Sequence, residues 1–307
     1  MTSLDFGPLV LGGNTFGWTS SAEESHAVLD AFAAGGGNFL DTADGYSSWV
    51  PGNTGGESET IIGEWMTARG NRDEIVVATK VSQHPDFAGL SAANVAAAAD
   101  ASLARLNTDR IDLYYAHFDD EGVPLEETVG AFNDLVVAGK VRAVGVSNYT
   151  AARVQEWFAI AQREGFALPV ALQPHYNLVH REPFESELAP VVAAHGLGVM
   201  PYFSLASGFL TGKYRAPSDL EGSARAGGAG KYLDARGLAV IAQLETIAGE
   251  RGISIATAAL AWLRSRPGIV APVASARTAS QVGDLLAAAS VDLTAEEVSL
   301  LDAASAV

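Results

Sequence analysis

The chain has 307 residues, a formal net charge of −17 and no cysteine. Because nucleic-acid binding depends on Lys and Arg, this acidic balance argues against nucleic acid as a partner. The lack of cysteine excludes disulfides, cysteine metal sites and thiol nucleophiles.

The chain shows no signal for export or membrane insertion. No uninterrupted apolar run reaches the length of about 18 residues that a membrane span needs. The first residues, MTSLDFGPLVLGG, lack the basic flank and long apolar core of a signal peptide. We therefore expect a cytoplasmic protein that does not bind membranes and whose partner is a small molecule.

Short apolar runs alternate with longer alanine-rich amphipathic stretches along the whole chain. Eight runs are predicted to be strands: PLVLGG (8–13), NFLDTA (38–43), EIVVATKV (74–81), DLYYAHF (112–118), VRAVGVSN (141–148), VALQPHYN (170–177), GLGVMPYFS (196–204) and GIVAPVAS (268–275). The predicted helices cover residues 22–34, 57–69, 91–106, 124–138, 150–164, 184–195, 234–265 in two pieces, 278–289 and 294–304.

This alternation predicts the fold. Eight strands that alternate with helices require parallel pairing, and eight is the number that closes a (β/α)₈ TIM barrel. We therefore expect one α/β domain over residues 1–307. A doubly wound sheet is the main rival, but no GxGxxG motif opens the first helix. One long irregular segment, 205–233, follows the seventh strand, and loops of this length are usually functional or mobile.

Ionisable residues stand at the ends of three consecutive predicted strands, where a barrel carries its active site. Asp41 and the nearby Tyr46 follow the second strand, Lys80 ends the third and His117 ends the fourth. A tyrosine is too weak an acid near neutral pH unless a neighbouring ammonium lowers its pKa, and a carboxylate keeps such a lysine charged. The histidine can orient a substrate oxygen by hydrogen bonding.

Each of these residues also has an ordinary structural explanation. Asp41 could be a turn residue, and Tyr46 could be an amphipathic residue at the rim. Lys80 could end a strand with its charged tip in water, and His117 could be a partly buried, hydrogen-bonded histidine. Their occurrence together at neighbouring strand ends favours a site for acid catalysis.

The motifs resemble those of the aldo-keto reductase family along essentially the whole chain. The matching segments are DTADGY (41–46), ATK (78–80), DLYYAH (112–117), GVSNY (145–149), ALQPHYN (171–177), PYFSLASGFLTGKY (201–214) and SARTASQ (275–281). The resemblance implies a TIM barrel that reduces carbonyl compounds with NADPH and without metal. It also implies a catalytic tetrad formed by Asp41, Tyr46, Lys80 and His117.

The resemblance further implies the residues that bind NADPH. They are Gly13, Asn14, Thr15, Ser147, Asn148, Gln173, Tyr202, Ser204, Leu205, Ser207, Gly208, Lys213, Ser275, Arg277 and Gln281. The planar guanidinium of Arg277 suits a 2′-phosphate, which favours NADPH over NADH. Many relatives carry a Glu-Asn pair where this chain has Asp284 and Leu285, so the adenine contact departs from the family pattern.

An apolar substrate wall is expected from Trp18, Trp49, Phe118 and Phe209. The favoured function is reduction of an aldehyde or ketone to an alcohol, with Tyr46 as proton donor. A second hypothesis is a regulatory protein that binds the cofactor on the same fold, as in the ion-channel β subunits that resemble this family. A metal-dependent hydrolase is disfavoured, because only His117 and His175 lie near strand ends.

Overall fold

Eight parallel strands form a closed barrel in the computed structural model, which describes residues 7–306. The strands are β1 (Val10–Gly12), β2 (Phe39–Asp41), β3 (Val76–Val81), β4 (Ile111–Ala116), β5 (Val141–Ser147), β6 (Pro169–Gln173), β7 (Gly198–Val199) and β8 (Val273–Ala274). From β1 to β7 each strand pairs with the next in the chain, and β8 pairs with β1.

Backbone hydrogen bonds between β7 and the residues just before β8 close the barrel. The amide of Val199 donates to the carbonyl of Gly268 at 2.9 Å, and the amide of Val270 donates back to Val199 at 3.0 Å. Closure removes the exposed edges that an open sheet would present. The predicted single (β/α)₈ barrel is therefore confirmed.

Helices surround the barrel, and all of them except α7 lie at the positions that the sequence predicted, with small shifts at their ends. They are α1 (Ala22–Ala34), α2 (Glu57–Arg69), α3 (Ala92–Leu106), α4 (Leu125–Val137), α5 (Ala151–Glu164), α6 (Ala189–His195), α7 (Ala226–Ala229), α8 (Ala235–Arg251), α9 (Ile255–Arg264), α10 (Val282–Ala287) and α11 (Ala295–Ala304). A π-helical turn, Phe184–Leu188, precedes α6, and a 3₁₀ turn, Ala279–Gln281, precedes α10.

Two features differ from the sequence prediction. A short antiparallel hairpin, Gln83–His84 with Phe87–Ala88, follows β3 and was not predicted. The long segment after β7 is not wholly irregular, because it contains α7 and the short 3₁₀ turns Ala206–Thr211, Pro217–Leu220 and Gly230–Tyr232. Such single turns lack the periodic pattern of a full helix, so the sequence does not reveal them.

Apolar residues form one core inside the barrel and a second between the strands and the helices. On β2, Phe39 points inward and Leu40 points outward. The interior core consists of Val10, Phe39, Ala78, Leu113, Tyr115, Ala143, Ala171, Met200, Ala271 and Val273. Gly145 leaves room for the ring of Tyr115, since a Cβ at this glycine would lie 2.4 Å from the ring. This filled interior places any cavity at the ends of the barrel and not along its axis.

The opposite end of the barrel carries a buried charge cluster that stabilises the fold. Asp112, which is 1% exposed, accepts hydrogen bonds from Arg72 and Arg142, both at 2.8 Å, and from the amide of Val77 at 2.9 Å. Removal of one partner of a buried ion pair leaves the others without compensation. The cluster therefore contributes to stability and lies away from the candidate site.

We expect Asp112→Asn to lower the free energy of unfolding by about 3 kcal/mol, because two guanidinium groups lose their carboxylate. Urea unfolding at neutral pH measures this change. The matched control is Asp100→Asn, which breaks an exposed pair with Lys140 and is expected to cost less than about 1 kcal/mol. Equal losses in the two variants would contradict a stabilising role for the Asp112 cluster.

Candidate active site

The alternation of side chains along the strands brings the predicted catalytic residues to one rim of the barrel. On β2, β3 and β4 the inward positions are Phe39, Ala78 and Tyr115, respectively. Since inward positions recur every second residue, Asp41, Lys80 and His117 follow on the inner face at the carboxyl ends of these strands. The other side chain of the predicted tetrad, Tyr46, comes from the loop after β2.

Lys80 is the centre of the polar network at this rim and is 0% exposed. Its Nζ donates to Oδ2 of Asp41 at 2.7 Å, to the carbonyl of Thr42 at 2.7 Å and to the hydroxyl of Tyr46 at 3.1 Å. Oδ1 of Asp41 accepts a further hydrogen bond from Nε2 of Gln173 at 2.8 Å. All three ammonium protons therefore have acceptors, which fixes the positions of Asp41 and Tyr46 relative to each other.

Electrostatics keep Lys80 charged. Burial opposes its charged form, but Asp41 and Tyr46 outweigh this effect and raise the pKa of Lys80 above its usual value. For Tyr46, burial raises the pKa and Lys80 lowers it. The net pKa of Tyr46 lies above its usual value, because burial is the larger effect. The sequence predicted the contribution of Lys80 and missed that of burial.

His117 is neutral and faces the same space as Tyr46. The two ring centroids lie 6.1 Å apart in an edge arrangement. Burial, and then the charge of Lys80, hold the pKa of His117 well below its usual value. Its Nδ1 is buried and has no hydrogen-bond partner within residues 7–306. The opposite nitrogen, Nε2, is therefore the one that can bond to a molecule beside Tyr46.

A cavity of about 660 Å³ opens from this rim and continues along the ends of β7 and β8. Its volume lies within the usual range for a small-molecule or cofactor site. Among the predicted residues it is lined by Asn14, Trp18, Asp41, Tyr46, Trp49, His117, Phe118, Asn148, Gln173, Tyr202, Ser204, Leu205, Ser207, Gly208, Lys213, Ser275, Arg277 and Gln281. The fold thus brings most of the predicted site together.

Besides the fully buried Lys80, four of the predicted site residues do not line the cavity. Gly13 and Thr15 are buried beneath it, where the hydroxyl of Thr15 donates to the carbonyl of Ala276. Phe209 is 0% exposed and packs in the outer core against Gly237 and Tyr232. The prediction that Phe209 belongs to the substrate wall is therefore wrong, because its 3₁₀ turn directs the ring toward α8.

Ser147 is the fourth predicted residue outside the cavity lining, and it holds the side chain of Asn148 in position. Its hydroxyl donates to the carbonyl of Gln173 at 2.8 Å and accepts from Nδ2 of Asn148 at 3.1 Å. Oδ1 of Asn148 in turn accepts from the hydroxyl of Tyr202 at 2.7 Å. Asn148 itself has a φ of 57°, in the left-handed region where asparagine is tolerated. Ser147 thus orients an amide that reaches the cavity.

The segment after β7 has an unusual backbone where it borders the cavity. Phe203, Ala206, Ser207 and Gly208 have φ values of 52°, 49°, 58° and 90°. Left-handed conformations at residues other than glycine are sparsely populated and cluster at ligand-binding sites. The strained backbone of residues 203–208 is therefore typical of a segment that contacts a ligand.

Arg225 is a cavity residue that the sequence did not single out. Its guanidinium lies 5.7 Å from the ring of Trp18, and its buried Nη2 has no hydrogen-bond partner in the described part of the chain. Burial, followed by repulsion from Arg277, lowers the pKa of Arg225. The sequence shows Arg225 as an arginine within a segment rich in Gly, Ser and Ala. It does not show that the side chain points into the cavity, because that direction is set by the fold.

Aromatic side chains surround the mouth beside Tyr46. Trp18 and Trp49 meet edge to face with centroids 5.6 Å apart, and Trp49 lies 6.3 Å from Tyr46. Trp49 is 52% exposed and Phe118 is 41% exposed, which is high for such large apolar side chains. Exposed apolar surface of this kind is typical of a binding site.

The far end of the cavity is built from the residues around β8. Oε1 of Gln281 accepts from the amide of Arg277 at 2.8 Å, and the hydroxyl of Ser275 donates to Asn14 at 2.6 Å. Asp284 and Leu285, which depart from the family pattern, also line this end.

Residues 7–306 contain no group of three or more His, Cys, Asp or Glu side chains placed to hold a metal ion. Over the same residues, each helix is too short or too polar to cross a membrane.

A closed barrel whose rim pairs a lysine with a tyrosine, beside a long cleft, is an enzyme-type site suited to proton transfer. Comparison with known proteins identifies its class. Residues 8–306 match the Aldo/keto reductase family. The chain therefore belongs to this family, whose members are generally NAD(P)H-dependent oxidoreductases.

Several curated relatives cover most of the chain. Norsolorinic acid reductase B of Dothistroma septosporum is 34% identical over 98% of this chain and 79% of its own length. A probable voltage-gated potassium channel subunit beta of Oryza sativa is 34% identical over 94% of this chain and 89% of its own. Protein tas of Escherichia coli is 30% identical over 98% of this chain and 95% of its own length.

Proposed function

We propose that this protein is an NADPH-dependent reductase that converts an aldehyde or ketone to an alcohol, with Tyr46 as the proton donor. The observation that carries the proposal is the pair of hydrogen bonds from Nζ of Lys80 to Asp41 and to Tyr46. A charged lysine held against a phenol stabilises the phenolate that remains after proton transfer.

The residues along the cavity fit a phosphorylated nicotinamide cofactor. The amides of Asn148 and Gln173 border the end beside Tyr46 and suit a carboxamide group. Lys213, Arg225 and Arg277 supply local positive charge in a protein with a net charge of −17. Nη2 of Arg225, which has no hydrogen-bond partner among residues 7–306, supports an anion at this place. When bound, NADPH supplies the hydride for the carbonyl carbon.

The protein's own residues orient and protonate the carbonyl oxygen. Nε2 of neutral His117 donates a hydrogen bond that orients this oxygen, since Nδ1 is buried and has no hydrogen-bond partner within residues 7–306. The hydroxyl of Tyr46 donates its proton to the oxygen as negative charge develops there. Lys80 stabilises the resulting phenolate, and Asp41, held by Gln173, keeps Lys80 charged. Trp18, Trp49 and Phe118 exclude water from an apolar substrate.

A cofactor-binding regulator is the competing proposal, because some relatives are named as probable potassium channel β subunits. The assembled Asp41, Tyr46, Lys80 and His117 support catalysis more directly than regulation. An NADPH-consumption screen over aldehydes, ketones and sugars separates the two. Turnover that depends on Tyr46 supports the reductase, whereas NADPH binding without turnover of any compound supports the regulator.

We expect Arg277→Ala to weaken NADPH binding by about 1–3 kcal/mol and to weaken NADH binding much less. The reason is the loss of a charge-assisted hydrogen bond to the 2′-phosphate, which only NADPH carries. Fluorescence titration of both cofactors measures the difference. Arg225→Ala is the matched control, because Arg225 is proposed to face phosphates that both cofactors share. Equal weakening of both cofactors by Arg277→Ala would assign Arg277 a structural role.

A further inference from the structure

A second cluster of ionisable residues lies behind the barrel wall, on the opposite side of β3 from the candidate site. Thr79 and Lys80 are neighbours on β3, so their side chains point to opposite faces. Lys80 bonds to Asp41 inside the barrel, whereas the hydroxyl of Thr79 donates to Oε1 of Glu59 at 2.5 Å outside it. Oε2 of Glu59 accepts from Nε of Arg105 at 2.6 Å. Glu59 is thus a fully paired carboxylate between the strands and α2 and α3.

Asp44 is a further buried acid in this region, and its carboxyl group is poorly paired. The side chain is 0% exposed. Neither carboxyl oxygen has a well-formed hydrogen bond within residues 7–306. The groups that lower the pKa of Asp44 are the backbone amides of Gly45 and Ser82 and the charge of Arg105, and burial outweighs them. The backbone of Asp44 is fixed, because its amide donates to the carbonyl of Lys80 at 3.1 Å. The carboxyl group is therefore held in place without a partner for a negative charge.

Charge balance among residues 7–306 leaves Asp44 without a counterion of its own. The cluster has two carboxyl groups, Asp44 and Glu59, and one guanidinium, Arg105, which pairs with Glu59. Burial, and then Arg105, lower the pKa of His84, so this ring is uncharged near neutral pH. Burial, followed by Asp44 itself, holds the pKa of Tyr114 well above its usual value. A buried carboxylate without a cation is costly, and binding a proton removes that cost.

We propose that Asp44 is a positioning residue that carries a proton at neutral pH and thereby adds no negative charge to the barrel wall behind Tyr46. Burial and the nearby Glu59 raise the pKa of Asp44 to about 8. A negative charge on Asp44 would raise the pKa of Tyr46, against the effect of Lys80. Asp44 thus acts on the reaction through Tyr46, and this last step rests on the proposed function.

The sign of the effect on stability follows from the two pKa values. Unfolded Asp44 has an ordinary pKa of about 4, whereas folded Asp44 has a pKa of about 8. Between these values the folded state binds more protons than the unfolded state, so stability falls as pH rises. The Asp44→Asn variant keeps the shape of the protonated acid and cannot ionise. It should therefore lack this part of the loss, which accumulates between about pH 4 and pH 8.

The direct test is infrared spectroscopy of the whole protein, which needs no substrate or cofactor. We expect a carboxylic-acid C=O band at about pH 6.5 that disappears above about pH 9, well beyond the range of ordinary carboxyl groups. The band should be absent from the Asp44→Asn variant and present in the Asp112→Asn control, since Asp112 is paired with two arginines. Absence of the band from the parent protein would overturn the proposal even if Asp44→Asn failed to fold.

Thermal melting and turnover supply the second test. The melting temperature of Asp44→Asn should fall less between about pH 6.5 and pH 9 than that of the parent. With NADPH and 4-nitrobenzaldehyde as the probe, the ratio of activity at the higher pH to that at the lower pH should rise in Asp44→Asn. An unchanged ratio in a folded variant would overturn the link to Tyr46. A parent protein without turnover would instead count against the proposed function, and the infrared band would still decide whether Asp44 holds a proton.

Discussion

Tyr46→Phe is expected to lower the rate of carbonyl reduction by about 10²–10⁴-fold, which is the usual contribution of a general acid. The substitution removes the hydroxyl that Lys80 contacts at 3.1 Å and keeps the aromatic ring. Fold and cofactor affinity should change little, because the ring still packs beside Trp49 and His117. Steady-state kinetics with NADPH and an aromatic aldehyde measure the loss.

The matched control for this experiment is Tyr149→Phe. Tyr149 also stands near a strand end, but it is buried against Trp157 and does not line the cavity. We expect this variant to keep its turnover. If Tyr46→Phe reduced the aldehyde at nearly the parental rate, another group would be the acid.

Lys80→Met is expected to change both catalysis and stability. Loss of the ammonium removes the interaction that lowers the pKa of Tyr46, so this pKa should rise further. In alcohol oxidation Tyr46 must act as the base, and the ionisation that limits the rate at low pH should therefore move to higher pH. A pH profile of alcohol oxidation with NADP⁺ measures the shift, and an unmoved profile with parental turnover would refute the coupling.

Burial of the pair adds a cost that the sequence did not reveal. The length and polarity of methionine alone predict that the fold tolerates Lys80→Met. In the structure, however, Lys80 is 0% exposed and Asp41 is 2% exposed, so the substitution leaves a buried carboxylate with Gln173 as its remaining side-chain donor. We expect a loss of about 3–5 kcal/mol in the free energy of unfolding at neutral pH.

Urea unfolding at about pH 7 measures this loss. Lys140→Met is the control, since Lys140 is exposed and pairs with Asp100 at the surface. A loss in Lys80→Met no larger than that in the control would contradict the cost of leaving Asp41 buried without its cation.

The pattern of residues along the chain determined the fold and the centre of the candidate site. Eight strand-like runs that alternate with helices admit few architectures, and parallel strands present their carboxyl ends at one rim. A period of two along each strand then directs Asp41, Lys80 and His117 to the same inner face. These consequences follow from local geometry, and so the convergence of Asp41, Lys80 and His117 was predictable from the sequence.

Only the tertiary structure decided which neighbours each side chain meets and how much water it keeps. It placed Phe209 in the core and Arg225 in the cavity, because the turns after β7 direct side chains in ways that no regular period encodes. It also set the net pKa of Tyr46 and left Asp44 without a cation. Desolvation and charge balance depend on segments that are distant in sequence and meet only when the barrel closes.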